Sequence, residues 1–188
     1  MLKRLISVFA VLLVASPVSS AWADSCSDTA NLFRKAGQSA DFFKTSYGYA
    51  VFPTIGKGGV GIGGAFGKGC VIAKGKQVGD TSMTQLSIGF QLGGQGYSEI
   101  IFLQDERAFK EFTSGNFEFG ADATAVAITL GASAKASSTG ASAGASATKH
   151  EAATAGAYHK GMATFTIVKG GLMYEAAIAG QKFSYKGR

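Results

Sequence analysis

The chain has 188 residues, 27 of them glycine, with 46% apolar and 16% charged residues and a formal charge of +6 at pH 7. That length and apolar content suit one domain with a real core rather than several. The mild positive charge favours anionic partners in general and does not choose among lipid, polysaccharide and nucleic acid.

Residues 1–23 read as an export signal. Lys3 and Arg4 make a positive start, residues 5–14 form an almost unbroken apolar run, and Ala21, Trp22 and Ala23 form an A-x-A cleavage site. The run is shorter than the ~20 residues of a spanning helix, so cleavage near Ala23 is expected rather than an uncleaved anchor. A single domain then occupies residues 24–188, about 165 residues, with 16 basic against 12 acidic side chains once Lys3 and Arg4 are gone, a net charge of +4. The expected location is exported, periplasmic or associated with the cell envelope, which argues against a nucleic-acid partner. In such a compartment Cys26 and Cys70 allow one disulfide from the N-terminus to the glycine-rich region, although spacing alone does not decide that they meet. Lipid attachment at Cys26 is disfavoured, because the cleavage site lies ahead of it and the residues before it are not those of a lipoprotein.

Residues 25–47 read as one helix. Ser25 and Asp28 have capping-box spacing, and Leu32, Phe33, Ala36, Ala40, Phe43 and Tyr47 recur on one face. Phe42 falls on the opposite side, near Arg34 and Lys35. From Gly48 the period becomes two. Strands are expected at 49–52, 60–66, 70–73, 84–92 and 98–103; in the clearest, Leu86, Ile88, Phe90 and Leu92 form the buried face and Gln85, Ser87, Gly89 and Gln91 the wet one. A second helix fits 105–114, capped by Asp105, with Phe109 and Phe112 on one face, Glu106 facing Lys110 and Gly115 ending it. It is expected to close one end of the sheet. Strands resume at 117–119, 124–130, 163–168 and 172–178, with 182–185 as a last one. Residues 131–161 are an Ala/Ser/Gly/Thr tract, read as a long hairpin with a mobile tip near 137–149 rather than as a linker.

Gly59, Gly61 and Gly64 complete a G-x-G-x-x-G, with Lys68 behind it and Asp80 about twenty residues on. A nucleotide site needs a helix after the glycines, and residues 66–76 have no apolar stripe at helical spacing. The Walker pattern fails as well, since Ile62 stands where its first glycine belongs and Gly69 where its Ser/Thr belongs. No nucleotide and no other cofactor is expected. The glycines are read instead as bends and close approaches in a strongly curved sheet.

The block GYAVFPTIGKGGVGIGGAFGKG, residues 48–69, closely resembles the start of the SYLF lipid-binding domain, a family shared by bacteria and eukaryotes. FEFGADA at 117–123 and, more weakly, GLMYEAAIAG at 171–180 continue the resemblance. It implies a non-enzymatic domain that binds anionic lipids, and in eukaryotic members phosphoinositides and actin. The 131–161 tract departs from the family pattern, and export would remove cytosolic actin as a partner, so anionic phospholipid or a membrane surface is the partner that transfers.

Enzyme and metal readings have little to stand on. His150 and His159 both lie in the Ala/Gly tract, where surface placement is expected. Cys26, Cys70, His150 and His159 match no zinc spacing. A rival from another class is an eight-stranded outer-membrane barrel, opposed by the two predicted helices and by a C-terminus that ends Lys186, Gly187, Arg188 without an aromatic.

The expected fold is therefore α+β, a mainly antiparallel, strongly curved sheet or small closed barrel with an N-terminal helix and one short internal helix. Two lipid contacts are expected. Lys57, Lys68, Lys74 and Lys76 would gather at one edge through the glycine-rich hairpins. Arg34 and Lys35 would hold headgroups while Phe42 enters the acyl boundary; the alternative is a helix break before Phe42, or another part of the chain over it, that puts it in the core.

Overall fold

The structure, a computed structural model, describes residues 18–60, 62–88, 95–128, 157–170 and 178–188. Three helical pieces come first, α1 (Val18–Lys35), α2 (Gly37–Ala40) and α3 (Phe42–Thr45). Four strands follow, β1 (Gly48–Val60), β2 (Ile62–Ala73), β3 (Lys76–Ile88) and β4 (Gln95–Leu103), then α4 (Glu106–Phe112). Short strands β5 (Phe117–Glu118) and β6 (Ala125–Ile128) lead to β7 (Met162–Gly170) and β8 (Gln181–Gly187). They form one sheet in the order β5-β8-β3-β2-β1-β4-β7-β6. All its neighbours are antiparallel except β6 and β7. The sheet curls into a half-barrel, which fits the expected α+β class.

Curling gives the sheet two faces, and both are packed. Phe52, Ile55, Met83, Ile101, Leu103 and Phe183 meet Ala108 and Phe112 of α4 on the concave side. On the convex side Val51, Cys70, Ile100, Phe102 and Phe165 meet Cys26, Phe33 and Phe42 from the leading helices. β4 is covered on both sides, so every residue from Tyr97 to Leu103 is buried, as a strand sandwiched between two layers requires. This arrangement departs from an outer-membrane barrel, whose strands are all antiparallel and whose outer face meets lipid. Here β6 runs parallel to β7 and helices roof part of the outer face. Among the described residues the sheet is open, with β5 and β6 at its edges.

The leading segment is not the single helix that its spacing suggests. α1 stops at Lys35, Ala36 is extended, and a further interruption at Asp41 separates α2 from α3. At the first break the Ser39 hydroxyl donates to the Phe33 carbonyl at 2.6 Å and lies 3.2 Å from that of Ala36, adding to the backbone N–H groups that reach both carbonyls. The extended Ala36 resets the rotation of the pieces that follow, while Asp41 keeps right-handed helical angles. Phe42 is thereby turned inward, the outcome of a break before it rather than of the interfacial placement, and retains 9% exposure. Ser25 lies inside α1, which begins at Val18, so it is not the N-cap that the Ser25/Asp28 spacing implied.

The expected strand at 60–66 is split between two. β1 and β2 form a long hairpin that reverses between Val60 and Ile62, which are paired across it. The G-x-G-x-x-G segment thus runs strand, turn, strand, where a dinucleotide fingerprint needs strand, turn, helix. Gly59 sits at φ 150°, a value that side-chain-bearing residues rarely adopt. Gly69 is required for another reason. A Cβ there would lie 2.5 Å from the Val51 carbonyl oxygen and 2.7 Å from the Phe52 ring. Gly69→Val is expected to destabilise the fold by at least ~1–3 kcal/mol, the usual range for overpacking, whereas Gly56→Ala, with nothing within 4 Å, should melt like wild type. Thermal unfolding followed by circular dichroism separates the two, and coincident melts of Gly69→Val and wild type would remove the close-approach argument.

α4 matches its sequence reading. The Asp105 side chain accepts from the Ala108 N–H at 2.8 Å, and Lys110 lies 2.8 Å from Glu106. The last strand does not close the sheet; β8 lies between β3 and β5. Residues 89–94, with Phe90 and Leu92 of the strand expected at 84–92, lie outside the described residues. So do residues 131–156, including the expected hairpin tip and His150, and residues 171–177, where most of the 172–178 strand was expected.

Candidate functional site

β3 presents the opposite face from the one that its pattern suggests. Met83 and Gln85 are buried on the concave side, whereas Leu86 points outward and is 86% exposed. The ladder registers place it in a row with Gly58 and Gly64. The next row is Gly56, Phe66, Thr84 and Lys182, and the one after is Thr54, Lys68, Ser82 and Ser184. Directly paired residues of a ladder share a face, so these three rows form one continuous convex surface. Phe66 is 52% exposed and stands diagonally from Leu86, at the ~7–8 Å typical of such neighbours.

Small and basic residues are among the neighbours of these two side chains. A Cβ on Gly56 or Gly58 would touch nothing within 4 Å, so glycine here leaves a low floor from which Phe66 and Leu86 project. Lys68 is exposed beside them. Lys169 Nζ donates to Thr54 Oγ1 at 3.1 Å, and Lys182 lies 3.4 Å from Glu118 on the edge strand. The helical roof ends just short of this area, at Cys70, which is joined to Cys26 by a disulfide. Among the described residues, the same sheet face is therefore covered at one end and bare at the other.

The lysines expected to share an edge do not. Lys74 and Lys76 flank the β2–β3 turn, while Lys57 pairs with Ala65 near the far end of the hairpin. Nine residues of strand at ~3.3 Å each put Lys57 and Lys74 about 30 Å apart. Lys57 also shares the concave side with Ile55, opposite to Lys68. Of the four, only Lys68 joins the bare convex surface. Lys74 instead lies 5.6 Å from the centre of the Tyr47 ring.

The expected Arg34, Lys35 and Phe42 group is likewise dissolved. Phe42 packs against Phe102, Tyr158 and Phe165 at ring separations of 5.4, 5.1 and 5.0 Å. The Arg34 guanidinium lies 4.4 Å over the Phe43 ring and donates to Asn31 Oδ1. Lys35 is exposed at the C-terminal end of α1, where a cation complements the helix dipole. Phe42 is therefore not the exposed ring beside these two cations.

A second polar group lies on the concave side. Gln181 Nε2 donates to Glu99 Oε2 at 3.0 Å and to Tyr97 Oη at 3.3 Å. Burial pushes the Glu99 carboxyl up to about 7, against the pull of the Gln181 hydrogen bond. Burial first, and the neighbouring Glu99 second, push the Tyr97 phenol up as well. At the surface, Asp122 receives Lys160 at 2.7 Å and lies 2.9 Å from His159 Nε2. Those contacts, that of Lys160 foremost, hold its carboxyl well below the usual carboxylate range. His159 is exposed and shares a hydrogen bond with Asp122. The two cysteines, joined to each other, offer no thiolate to a metal.

Sequence reasoning assigned no site role to Phe66, Lys169, Lys182 or Glu99, and it placed Leu86 in the core. One signal was present: the face of β3 that carries Leu86 also carries the glycine-rich rows of its neighbours, and glycine contributes little to a core.

This is a β-rich domain whose exposed apolar and basic side chains share one face of a curled sheet. Residues 84–185 match the Ysc84 family, described as Las17-binding protein actin regulator. The chain belongs to that family, which is the SYLF family. The matched span begins in β3 and ends in β8, leaving the glycine-rich block 48–69 outside it. No curated protein matches the chain.

Proposed function

We propose that this protein is a non-enzymatic, exported lipid-binding module that docks on anionic phospholipid surfaces through the bare convex face. The observation that carries the reading is the projection of Phe66 and Leu86 from a glycine floor beside Lys68, Lys169 and Lys182. Large apolar side chains of this kind gain about 1.5–3 kcal/mol each when fully removed from water, and each lysine near an anionic surface adds about 1 kcal/mol, screened by salt. Membership in a family named for binding, rather than for a reaction, supports the same reading. Export, to the periplasm or cell envelope, is supported by the leader pattern of residues 1–23 and by the Cys26–Cys70 bond, which suits an oxidising compartment. Cleavage near Ala23 leaves residues 24–35 of α1, with Cys26 and Phe33 still on the sheet. Cytosolic actin is then out of reach.

Vesicle sedimentation tests the face. Phe66→Ser/Leu86→Ser is expected to bind phosphatidylglycerol vesicles at least tenfold more weakly than wild type. Lys68→Gln/Lys169→Gln/Lys182→Gln should bind more weakly and lose most of its salt dependence, while Lys74→Gln/Lys76→Gln, far along the hairpin, stays at the wild-type level. Wild-type binding by the Phe66→Ser/Leu86→Ser protein would remove this surface from the account.

A further inference from the structure

Glu99 occupies the concave face of β4 and has no solvent exposure. The bond it accepts from Gln181 does not run along the sheet. Gln181 opens β8, and three strands, β3, β2 and β1, separate β8 from β4 in the sheet order. The contact therefore spans the interior of the half-barrel and holds its two sides together. Thr166, on β7, is the direct cross-strand partner of Glu99.

Several polar atoms at this contact have no partner among the described residues. Glu99 Oε1, Gln181 Oε1 and Thr166 Oγ1 are all buried and have no hydrogen-bond partner among the described residues. A buried oxygen left without a donor is costly, and an ionised carboxylate without a counter-charge is far more so. The elements around it offer little charge. β3 contributes Gln85 and Met83, β7 Thr164 and Thr166, β8 Gln181 and Phe183, β4 Tyr97, and α4 Ala108 and Phe112. β1 contributes Phe52, Ile55 and, nearer the rim, Lys57. Lys57 pairs with Gln95, four residues along β4 from Glu99, or about 13 Å at the usual strand rise. A neutral carboxyl adds one O–H donor beside the acceptor Gln181 Oε1 and the Thr166 hydroxyl, both without a partner among the described residues, and carries no charge to be desolvated.

We propose that Glu99 carries a proton in the closed protein and that this proton latches β8 to β4 across the half-barrel. With the proton in place, the carboxyl, Gln181 and Thr166 form a neutral buried group. Once it is lost, a charge remains in a dry interior and draws the seam open toward water. The direction of the pH response is set by burial, which raises the carboxyl from 4.5 to about 7 in the folded protein. The folded state then keeps its proton where the unfolded chain has released it. Stabilisation by the latch is complete below about 4.5, declines above that, and is lost as pH rises through about 7.

Hydrogen exchange of the full chain between pH 5.5 and 8.5, corrected for intrinsic rates, reads the latch locally. In the wild type, β8 amides are expected to lose at least tenfold protection over that range while the β1–β2 amides hold. Glu99→Gln, which keeps the neutral shape, should hold β8 protection constant, and Gln181→Leu should loosen β8 already at pH 5.5. A pH-independent wild-type β8, an equal loss in every strand, or the same loss in Glu99→Gln overturns the proposal. Should Glu99→Gln not fold, carboxyl-carbon NMR of the wild type decides: a Glu99 midpoint above 6 supports the latch, and one at or below 6 overturns it.

Discussion

Phe42→Ala is expected to cost ~3–5 kcal/mol of stability, the range for removing a large buried aromatic. Phe42 is the joint between α3 and the convex side of the sheet. It stacks on Phe102 of β4 and meets Phe165 of β7 and Tyr158 edge-on. Truncation leaves a cavity lined by rings that cannot all close in, because Phe102 and Phe165 are themselves fixed by their strands. Urea unfolding measures the loss. A membrane-inserting Phe42 makes the opposite forecast, unchanged stability with weakened vesicle binding, and that pair of results would restore the interfacial-helix account.

Loss of the Cys26–Cys70 bond is expected to have an effect of similar size. The two cysteines are 44 residues apart in sequence, and the loop-closure entropy of such a cross-link is about 4 kcal/mol. Both are buried with Phe33 and Val51, so the bond ties α1 to the open end of the β1–β2 hairpin, where Cys70 pairs with Val51. For a domain of this size, at ~2–4 °C per kcal/mol, the melting temperature should fall by roughly 8–16 °C. Cys26→Ser/Cys70→Ser and wild type under reductant should melt together and below the oxidised wild type. Coincident melts of oxidised and reduced protein would show that the bond contributes nothing to the fold.

The elements that sequence placed well are those fixed by local chemistry. α4 follows from Asp105, the Glu106–Lys110 spacing and Gly115, all of which act within a few residues. The existence of strands across residues 48–103 follows from the change of period and the glycine punctuation, although the reversal between Val60 and Ile62 merged the end of one strand with the start of the next. The leading helix was over-extended because propensity and spacing see no reason to stop at Ala36. The stop is secured by Ser39 reaching back to the Phe33 carbonyl and by the need to seat Phe42 against β4.

The candidate site was the least legible part, for a physical reason. Leu86 alternates with Gln85 as a core residue would, and only the curl of the sheet decides which face is covered. Cross-strand rows join residues far apart in sequence, such as Gly56, Phe66, Thr84 and Lys182, and no local pattern announces them. The lysines show the same limit in reverse: Lys57, Lys68, Lys74 and Lys76 are close in sequence, yet strand length and the two-residue alternation send them to different ends and faces.

By itself the sequence determined the class of the fold, the places of the internal helix and of most strands, the family resemblance and the mismatch with a nucleotide loop, because each rests on interactions or motifs within a short stretch of chain. The tertiary structure decided which face of β3 is buried, where Phe42 goes, that Cys26 meets Cys70, and that Glu99 faces Gln181 across the interior. Those outcomes depend on how the curled sheet brings distant strands and helices together, and burial, which sets their energies, is a property of the assembled layers and not of any one segment.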